Sequence, residues 1–492
     1  MNTLPAEIYS VASVREIDRA AIEDAGIPGY TLMTRAGTAA VRAARHHFPD
    51  ANRWQVVCGA GNNAGDGYVV ARIAAQDGIV VSALAVADPE SLMGDAATAY
   101  ADFTAEGGVV MPWSGDLDAE AQLIVDGLLG SGLEREVSGD FGAAVAAVNA
   151  HSAPVLALDI PTGVHGDSGH VLGAAVRADL TITFVGLKAG LFAAEGAELS
   201  GNVVFDGLEV PDRCRPRGDA MYRRIDDGML RRCLPRRGRT AHKGDFGHVL
   251  IIGGGVGMPG AVRLAGEAAL RTGAGLVSIA TDPAHATAFV GSRPELMCHG
   301  VQNTADLRQL IDKATVIAFG PGLGQSAWAE ELFGVIAAQA LPAVWDADAL
   351  NMLAKSPSSS KERIITPHPG EAGTLLGSSA SDVQRGRRTA LGSLQKQYGG
   401  VTVLKGANTV VSSSAGVPWL CTSGNPGMAA PGMGDVLTGI IAALLAQGLE
   451  LEEAAVVGVE VHARAGDRAA GAGERGLLAS DLMAELRSVI NP

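Results

Sequence analysis

Apolar runs of strand length alternate with longer alanine-rich stretches along most of the chain. In the first half the apolar runs include WQVVC, VVSALAVA, QLIVDGLLG and PVLALDI, and the stretches between them have a helical period. Strands that are apolar at every position are buried on both faces of a sheet, which favours a parallel sheet covered by helices. The pattern therefore predicts a doubly wound α/β domain, with two helices in the first 48 residues.

The character of the chain changes between Pro211 and Gly247, where arginine, proline and glycine are frequent and core residues are few. A second alternation follows, with the apolar runs HVLIIGGG, GLVSIAT, TVIAFGPG and VTVLKGANTVV. We therefore predict two α/β domains, residues 1–215 and 220–492, joined by a solvated connector. The alternative interpretation of this segment is a basic arm that binds nucleic acid.

The composition narrows the possible partners and the location. The 492 residues carry a formal net charge of −15, which argues against nucleic acid or an anionic membrane as the main partner. The five cysteines are scattered and lack metal-ligand spacing, as in a reduced cytoplasmic protein. The longest uncharged apolar run, Val436–Leu449, is too short to span a bilayer. We expect a cytoplasmic homo-oligomer that acts on small molecules and binds neither nucleic acid nor membranes.

Polar and glycine-rich segments follow the apolar runs of the second half, at the strand ends where open parallel sheets bind their ligands. The segment PGMGD is the most informative of them. Gly432 to Gly434 are expected to lead into a helix that begins at Asp435, and the N–H groups at such a helix start stabilise a negative charge. The Asp435 carboxylate would accept a proton from a hydroxyl that attacks phosphorus. The alternative is that these residues only cap the helix.

Three further strand ends of the second half carry groups that can contact a ligand. His368 in TPHPGE is one of them, although its position between two prolines also suits a rigid turn residue. The glycines of FGPGLG allow a ligand to approach the backbone, and LKGANT adds a lysine and two polar side chains. Together these segments predict a site for a nucleotide and a phosphoryl group.

The same motifs resemble the ribokinase-like superfamily and, within it, the NAD(P)H-hydrate dehydratases. The resemblance runs from about Ala241 to the end of the chain and rests on GPGLG, DADALN, TPHPGE, LKGANT and PGMGDVLTGIIAALLAQG. It implies that ADP or ATP, with Mg²⁺, phosphorylates the hydroxyl of hydrated NAD(P)H, and that loss of phosphate restores the dihydronicotinamide. Pro431 stands where the family usually has glycine, so one N–H of the anion site would be missing.

The resemblance also implies site residues by position. Asp435 would be the catalytic base. The hydrate would be bound by Ala261, Gly322, His368 and Asp435, and the nucleotide by Lys405, Gly406, Ala407, Asn408, Thr409 and Gly434.

The first half has its own glycine-rich segment, GAGNNAGDG, between a predicted strand and a predicted helix. It is a weak match to a dinucleotide fingerprint, since Ala64 takes the place of the third glycine and Asp88 would be the acidic partner. Asn62 and Asn63 need another explanation, because phosphate binding does not require them. One alternative is that they cap the helix.

A cation is the other explanation for the two asparagines. Amide and carboxylate oxygens form hard ligand sets for cations, and two other predicted strand ends supply Asp126, Asp159 and Thr162. The carboxyl ends of parallel strands meet at one edge of a sheet. The segment therefore predicts a crevice that binds a cation together with a phosphate, whose charge the cation offsets.

The first half resembles the NAD(P)H-hydrate epimerase domain from about Val11 to Asp212, on segments such as NNAGDGYVVAR, VDGLLGSGL and LDIPTGVHGDSG. The family usually has glycine at Ala64 and glutamate at Thr34. The resemblance implies an acid–base role for Asp159 at the reacting nicotinamide carbon, with Lys188 as a second candidate.

The resemblance further implies the ligands of the first half. A potassium ion would be held by Asn63, Asp126 and Thr162. The substrate's nucleotide phosphates would contact Asn62, Asn63, Ala64, Gly65, Asp66, Gly130, Ser131, Gly132, Leu133, Glu134, Arg135 and Glu136.

Together the resemblances imply a Rossmann-like three-layer α/β/α domain followed by a ribokinase-like α/β domain. The first would interconvert the R and S epimers of hydrated NADH and NADPH, and the second would dehydrate the S epimer with ADP. One alternative is a ribokinase-like small-molecule kinase fused to a dinucleotide-binding module, which leaves the polar strand ends of the first half unexplained. A first half that only binds is a further alternative, against which Asp126, Asp159 and the asparagine pair argue.

Overall fold

The computed structural model describes residues 4–215, 220–287 and 293–492. The chain forms two compact units, Met1–Arg223 and Arg224–Pro492, and each contains a parallel sheet. Residues 216–219, which belong to the predicted connector, lie outside the described residues, as do residues 1–3 of the first predicted domain.

The first unit begins with a short strand and the two predicted helices, and continues as an alternation of strands and helices. Its described strands are β1 (Glu7–Tyr9), β2 (Arg53–Cys58), β3 (Val80–Ala85), β4 (Val110–Pro112), β5 (Leu123–Gly127), β6 (Val155–Leu158), β7 (Leu180–Phe184), β8 (Leu187–Lys188), β9 (Asn202–Asp206) and β10 (Ala220–Arg224). Its described helices are α1 (Val11–Glu23), α2 (Gly29–His47), α3 (Asn62–Gln76), α4 (Gly94–Ala105), α5 (Gly139–Ala150) and α6 (Gly196–Leu199).

Seven strands of the first unit form a wholly parallel sheet in the order β4-β3-β2-β5-β6-β7-β9. β5, β6 and β7 are buried at every position, as the continuous apolar runs predict. Helices cover both faces of the sheet, and successive strand residues point to opposite faces. Val57 packs with residues of α5, whereas Val56 faces Gly67 of α3. The prediction of a doubly wound, three-layer domain is confirmed.

Three short strands of the first unit, β1, β8 and β10, have no counterpart among the predicted strands. Tyr9 of β1 lies opposite Lys188 of parallel β8 on one side and opposite Ala220 of antiparallel β10 on the other. Because β10 pairs with β1, residues 220–223 group with the first unit, whereas the sequence predicts a second domain from residue 220. These strands have two to five residues, too few to produce a recognisable apolar pattern.

The second unit repeats the alternation of strands and helices. Its described strands are β11 (His248–Ile252), β12 (Leu276–Thr281), β13 (Met297–Gly300), β14 (Val316–Phe319), β15 (Ala343–Trp345), β16 (Arg363–Ile365), β17 (Val401–Leu404), β18 (Val410–Val411) and β19 (Trp419–Leu420). Its described helices are α7 (Asp227–Cys233), α8 (Pro259–Thr272), α9 (Thr304–Ile311), α10 (Ala327–Ile336), α11 (Asp348–Lys355), α12 (Pro369–Leu376), α13 (Ala380–Arg385), α14 (Arg387–Tyr398), α15 (Met433–Ala446), α16 (Leu451–Ala469) and α17 (Leu482–Val489).

The sheet of the second unit is parallel through β13-β12-β11-β14-β15-β16-β17 and continues with antiparallel β18 and β19. The sequence treats VTVLKGANTVV as one apolar run with a strand end at LKGANT. β17 does end at Leu404, directly before Lys405, but the second strand in this run is not predicted. The segment forms β17, a turn and β18. Gly406 has a φ of +140° and Asn408 a φ of +56°, which a continuous strand cannot accommodate.

Part of the predicted connector belongs to the core of the second unit. α7 buries Met229, Leu230 and Cys233 in the same cluster as residues of α15 and α16, and Ile225 joins them. The prediction of a solvated connector is therefore wrong for residues 225–233. The apolar residues occupy one face of a short helix. Because the segment also contains many arginines, its overall composition does not indicate a buried face.

α15 is apolar nearly throughout because it packs between other helices of the second unit. Gly439 permits close contact with α8, since a Cβ at this position would lie 2.1 Å from the carbonyl oxygen of Ala265. The helix begins at Met433, so the prediction that it begins at Asp435 is wrong. Among the helices of the described residues, none combines the length and apolar character needed to cross a membrane.

Candidate active sites

A cavity of about 700 Å³ lies in the first unit at the carboxyl ends of β2, β5 and β6. The order of the strands reverses beside β2, which is the usual ligand position in a doubly wound sheet. α1 and α2 cover this cavity. One face of α1 contributes Val11, Val14, Arg15, Asp18 and Ile22 to its lining. The two N-terminal helices are therefore part of the site.

The segment GAGNNAGDG leads from β2 into α3 along one wall of the cavity. Gly61 is the N-cap of α3, and Asn62 and Asn63 are the first two residues of the helix. No side chain caps this helix start. The alternative in which the asparagines act as caps is therefore wrong, and both line the cavity instead.

The residues assigned to the nucleotide phosphates divide into two groups. Ala64 and Gly65 are buried, and a Cβ at Gly65 would lie 2.7 Å from Cε of Met33. Glu136 is exposed and outside the cavity lining. The assigned residues that line the cavity are Asn62, Asn63, Asp66, Gly130, Ser131, Gly132, Leu133, Glu134 and Arg135.

Asp159 and Lys188, the two candidates for acid–base chemistry, form an ion pair in this cavity. Asp159 follows β6 with a φ of +66°, an unusual conformation for a residue with a side chain. The Lys188 ammonium also donates to the carbonyl oxygen of Phe184 at 2.8 Å and to Oγ1 of Thr183 at 3.2 Å. The Lys188 side chain is buried, with only 2% exposed, and its contacts fix the position of the Lys188–Asp159 pair.

Two further carboxyl groups, Asp18 of α1 and Asp66 of α3, line the same cavity. Burial raises the pKa of Asp18 to about 6, while the charge of Lys188 lowers this pKa and that of Asp159 raises it. Burial also holds the pKa of Asp66 well above its usual range, and the charges of Asp159 and Asp18 raise it further. The cavity therefore combines three mutually repelling carboxyl groups with one buried lysine.

Asp126 and Thr162 are fully buried beside the cavity. Thr162 donates to Asp126 through its N–H at 2.8 Å and its hydroxyl at 2.7 Å, and the hydroxyl lies 3.1 Å from the carbonyl oxygen of Leu129. Oδ1 of Asn63 lies 3.4 Å from the position of a Cβ on Gly130. The three predicted potassium ligands therefore surround the loop after β5. Within the described ranges, no group of three or more His, Cys, Asp or Glu residues could hold a metal ion.

Three other residues from the sequence analysis are Asp88, Thr34 and Pro431. Asp88 is exposed and accepts a hydrogen bond from the N–H of Glu90 at 3.0 Å. The Thr34 hydroxyl donates to the carbonyl oxygen of Tyr30 within α2 at 2.8 Å, and nothing in the structure explains the loss of the family's glutamate. Pro431 is exposed and precedes the N-cap of α15.

In the second unit, Lys405 is the centre of a cluster at the carboxyl ends of β15, β16 and β17. Its ammonium lies 2.6 Å from Oδ1 of Asp346 and 3.7 Å from Oε2 of Glu371. Thr438 of α15 donates to the other oxygen of Asp346 at 2.8 Å. Burial raises the pKa of Asp346, but the charge and hydrogen bond of Lys405 outweigh it and hold this pKa below its usual range. The pair is therefore ionised.

Asp435 lies in the first turn of α15, within the field of this cluster. Burial, together with the charges of Asp346 and Glu371, raises the pKa of Asp435 to about 7 against the opposing charge of Lys405. Burial likewise raises the pKa of Glu371. Asp435 is therefore balanced between its acid and its base form near neutral pH.

The start of α15 is open to a ligand. Gly432, the N-cap, has a φ of +89°, and no side chain caps the helix. The first intrahelical bond runs from the N–H of Val436 to the carbonyl oxygen of Gly432 at 3.1 Å, so the preceding N–H groups can bind an anion. A Cβ at Gly434 would lie 3.2 Å from Nζ of Lys405, so this backbone borders the cluster.

The predicted hydrate ligands lie on neighbouring loops. Gly322 has a φ of +56°, and a Cβ there would lie 3.0 Å from Cβ of Ala261, so these two residues are in contact. His368 is the N-cap of α12 and accepts a hydrogen bond from the N–H of Gly370 at 3.0 Å. Its Nε2 lies 3.5 Å from Oε1 of Glu371. His368 therefore has a structural role as a helix cap, in line with the alternative that it is a rigid turn residue. Its other ring nitrogen faces Glu371.

Arg387 of α14 anchors the loop between β17 and β18, by donating to the carbonyl oxygens of Leu404 at 2.9 Å and Lys405 at 3.3 Å. The sequence did not single out Arg387, Asp346 or Asp18. For Asp346 its position directly after a strand was an available signal, whereas helical periodicity does not show what Asp18 and Arg387 contact. The loop carries the predicted nucleotide ligands Gly406, Ala407, Asn408 and Thr409.

Comparison with solved structures defines the class of the second unit. A ribokinase-like superfamily protein from Enterococcus faecalis is similar with a TM-score of 0.51 and 29% identity, over 55% of this chain and 96% of that chain. A hypothetical protein from Streptococcus mutans is similar with a TM-score of 0.50 and 31% identity, over 54% of this chain and 98% of that chain. The second unit therefore has the ribokinase-like fold.

Sequence comparison extends to both units. The NAD(P)H-hydrate dehydratase family matches residues 249–488, and the family described as YjeF-related protein N-terminus matches residues 29–190. A bifunctional NAD(P)H-hydrate repair enzyme of Coxiella burnetii is 46% identical over 99% of both chains. One of Escherichia coli is 41% identical over 100% of this chain and 95% of its own. The chain belongs to the family of bifunctional NAD(P)H-hydrate repair enzymes, which decides against the fused kinase and the binding module.

The first prediction concerns the Lys405 cluster. Lys405→Met would leave Asp346 buried without its cation, and we expect the free energy of unfolding of the second unit to fall by about 3–5 kcal/mol. Arg385→Met is the matched control, because it removes a cation from a pair with Asp382 whose side chains are 65% and 53% exposed. The control should be almost neutral. Denaturant unfolding followed by circular dichroism measures both variants, and equally small losses would contradict the buried pair.

Proposed function

We propose that the first unit interconverts the R and S epimers of hydrated NADH and NADPH, and that the second unit dehydrates the S epimer with ADP. The observation that carries the proposal is the Asp435 carboxylate, which has a pKa of about 7 at the open start of a helix. A group with this pKa exchanges protons readily near neutral pH. Its position beside an anion-binding backbone supports a proton acceptor for phosphoryl transfer.

In the second unit, Asp435 takes the proton of the substrate hydroxyl while the hydroxyl oxygen bonds to the terminal phosphorus of ADP, and the bond from that phosphorus to the bridging oxygen breaks and releases AMP. The N–H groups at the start of α15 and the Lys405 ammonium stabilise the charge on the phosphoryl oxygens. The phosphate then leaves, assisted by the electron pair of the ring nitrogen. Loss of a proton from the adjacent carbon restores the double bond. Ala261, Gly322 and His368 hold the hydrate for this reaction.

The nucleotide is proposed to bind along the loop Lys405–Thr409 and at Gly434. Arg387 supports this assignment, because its bonds to two carbonyl oxygens fix the loop before any ligand binds. Mg²⁺ bound with ADP supplies positive charge at the phosphates. Glu371 would hold the ion, since carboxylate oxygens are the ligands that Mg²⁺ prefers, whereas both oxygens of Asp346 are engaged by Lys405 and Thr438.

In the first unit, Asp159 is proposed to be the acid–base group at the nicotinamide carbon that carries the hydroxyl. The ion pair with Lys188 supports this role, because it fixes the carboxylate in an otherwise open cavity. Asn62, Asn63 and the loop 130–135 border the same cavity and are proposed to contact the nucleotide phosphates.

A potassium ion is proposed to bind at Asn63, Asp126 and Thr162. The site offers one carboxylate and several neutral oxygens, a donor set that fits a large monovalent cation. Asp126 is buried and has no cationic partner among the described residues, so a bound cation would compensate its charge. When bound, the ion supplies positive charge behind the loop that is proposed to contact the phosphates.

A cytoplasmic location is proposed from the cysteines, all of which are free thiols, as in proteins of reducing compartments. A homo-oligomer, and the lack of nucleic-acid or membrane partners, remain predictions from the sequence. Light scattering in solution measures the first of these. The thiols are Cys58, Cys214, Cys233, Cys298 and Cys421.

The second prediction separates the two activities. Asp435→Asn should slow ADP-dependent dehydration by about 10²–10⁴-fold, because the amide cannot accept the hydroxyl proton. Epimerisation should be unchanged, and it serves as the internal control. Chromatography of both epimers, with and without ADP, measures the two reactions in one sample. Wild-type dehydration by the variant would exclude Asp435 as the base.

The pH dependence of dehydration tests the same group. A base whose pKa is raised to about 7 is deprotonated above that pH and protonated below it. The kcat/KM of the wild type should therefore fall tenfold per unit as the pH drops below about 7. A profile that stays level across this pH would contradict the assignment.

The third prediction concerns the cation. Epimerisation should be faster in potassium than in sodium, and Asp126→Asn should abolish the difference because it removes the one carboxylate of the site. Initial epimerisation rates in potassium, in sodium and with a chelator of divalent ions provide the measurement. Inhibition by the chelator with no response to potassium would assign the site to another ion.

A further inference from the structure

Three carboxyl groups of the first-unit cavity come from three different elements. Asp18 is on α1, Asp66 is on α3 and Asp159 follows β6. Lys188 forms its ion pair with Asp159 alone among the three. Within the described part of the chain, neither Asp18 nor Asp66 has an ion-pair partner. The other charged residues of the cavity lining are Arg15, Asp95, Glu134 and Arg135.

The charge near Asp159 is therefore unbalanced. Burial, together with repulsion between neighbouring carboxyl groups, raises the pKa values of Asp18 and Asp66. Arg15 does not correct the imbalance, because its guanidinium lies 2.7 Å from the position of a Cβ on Gly132 and so extends toward the loop after β5. At least one carboxyl group beside the Asp159–Lys188 pair is therefore available as a proton donor.

Epimerisation needs such a donor in addition to an acceptor. The dihydronicotinamide ring is an enamine, so water adds at the carbon next to the ring nitrogen and leaves a hydroxyl there. Inverting this carbon by exchange of the oxygen requires that the C–O bond break and that a new one form on the opposite face. The leaving hydroxyl takes up a proton and the entering water releases one, at different places.

We propose that Asp18 is a second catalytic acid–base residue of the epimerase site and that it acts together with Asp159. The inference deepens the proposed function and rests on it. Asp18 donates its proton to the hydroxyl, the C–O bond breaks, water leaves and the ring nitrogen forms a C=N bond with its electron pair. Water then adds to the other face, Asp159 takes its proton and the electron pair returns to nitrogen. The reverse reaction exchanges the two roles.

Two observations favour Asp18 over Asp66. Asp18 lies on the helix that covers the cavity, on the same face as Val11 and Val14, whereas Asp66 is in the first turns of α3 beside the buried Gly65. In addition, burial raises the pKa of Asp18 to about 6, which is close to neutral pH. A group with such a pKa can both donate and accept a proton. Burial and the charges of Asp159 and Asp18 hold the pKa of Asp66 well above its usual range.

Asp18→Asn in the full chain tests the proposal. The kcat of epimerisation should fall by about 10²–10⁴-fold in both directions while KM changes little, because the amide keeps the shape and loses the proton. The wild type should show a bell-shaped pH profile of kcat/KM, and the variant should lack one limb. Glu16→Gln on the exposed side of the same helix is the matched control and should keep wild-type epimerisation.

Labelled water supplies a second readout. In water enriched in oxygen-18, the epimer formed by the wild type should carry the label, because the C–O bond is broken and remade. An unlabelled product overturns the proposed step. A rate for Asp18→Asn close to that of the wild type, or a reduced rate with both limbs of the profile intact, overturns the role of Asp18.

Two further outcomes test the epimerase function and the role of Asp18. If the wild type does not epimerise faster than the spontaneous reaction, the proposed function of the first unit fails, which is distinct from failure of Asp18 alone. If Asp18→Asn does not unfold cooperatively, Asp18→Glu replaces it. A limb of the pH profile that moves with the glutamate supports the proposal, and an unmoved profile overturns it.

Discussion

One buried lysine organises the carboxyl groups of each site. Lys188 pairs with Asp159 in the first unit and Lys405 with Asp346 in the second, both at the carboxyl ends of parallel strands. In each site the lysine neutralises fewer charges than the carboxyl groups could carry, so the remaining carboxyl groups repel one another. Burial, together with the charges of Asp346 and Glu371, raises the pKa of Asp435 to about 7 against the opposing charge of Lys405, and in our account this makes proton transfer possible.

The two units reach this arrangement with different helices. In the second unit the start of α15 adds backbone N–H groups, which suit a phosphoryl group. In the first unit α1 and α2 cover the cavity and bring another carboxyl group, Asp18, to the ion pair. Water adds to NAD(P)H on either face of the ring, while the proposed dehydration accepts one epimer. Joining both activities in one chain therefore gives the dehydratase access to both products.

The parallel sheets and the strand-end residues could be predicted because both follow from short-range pattern. Continuous apolar runs identify β5, β6 and β7, and the residues directly after strands identify Asp159 and Lys405. Asp18 could not be predicted, because its role depends on where α1 packs. The turn at Gly406 and the buried face of α7 were missed for a related reason. The composition of a segment does not show a left-handed backbone such as that of Gly406. Nor does it show that the few apolar residues among the arginines of α7 are buried.

Return of the dihydronicotinamide absorbance from an equal mixture of R and S hydrates tests the central claim most directly. The intact chain would be supplied with NADH hydrate, ADP, Mg²⁺ and potassium, and compared with a sample without protein. We predict that all of the hydrate returns to NADH, because the first unit supplies the S epimer as the second consumes it. A plateau at half of the hydrate would contradict the epimerase assignment, and no return at all would contradict the dehydratase assignment.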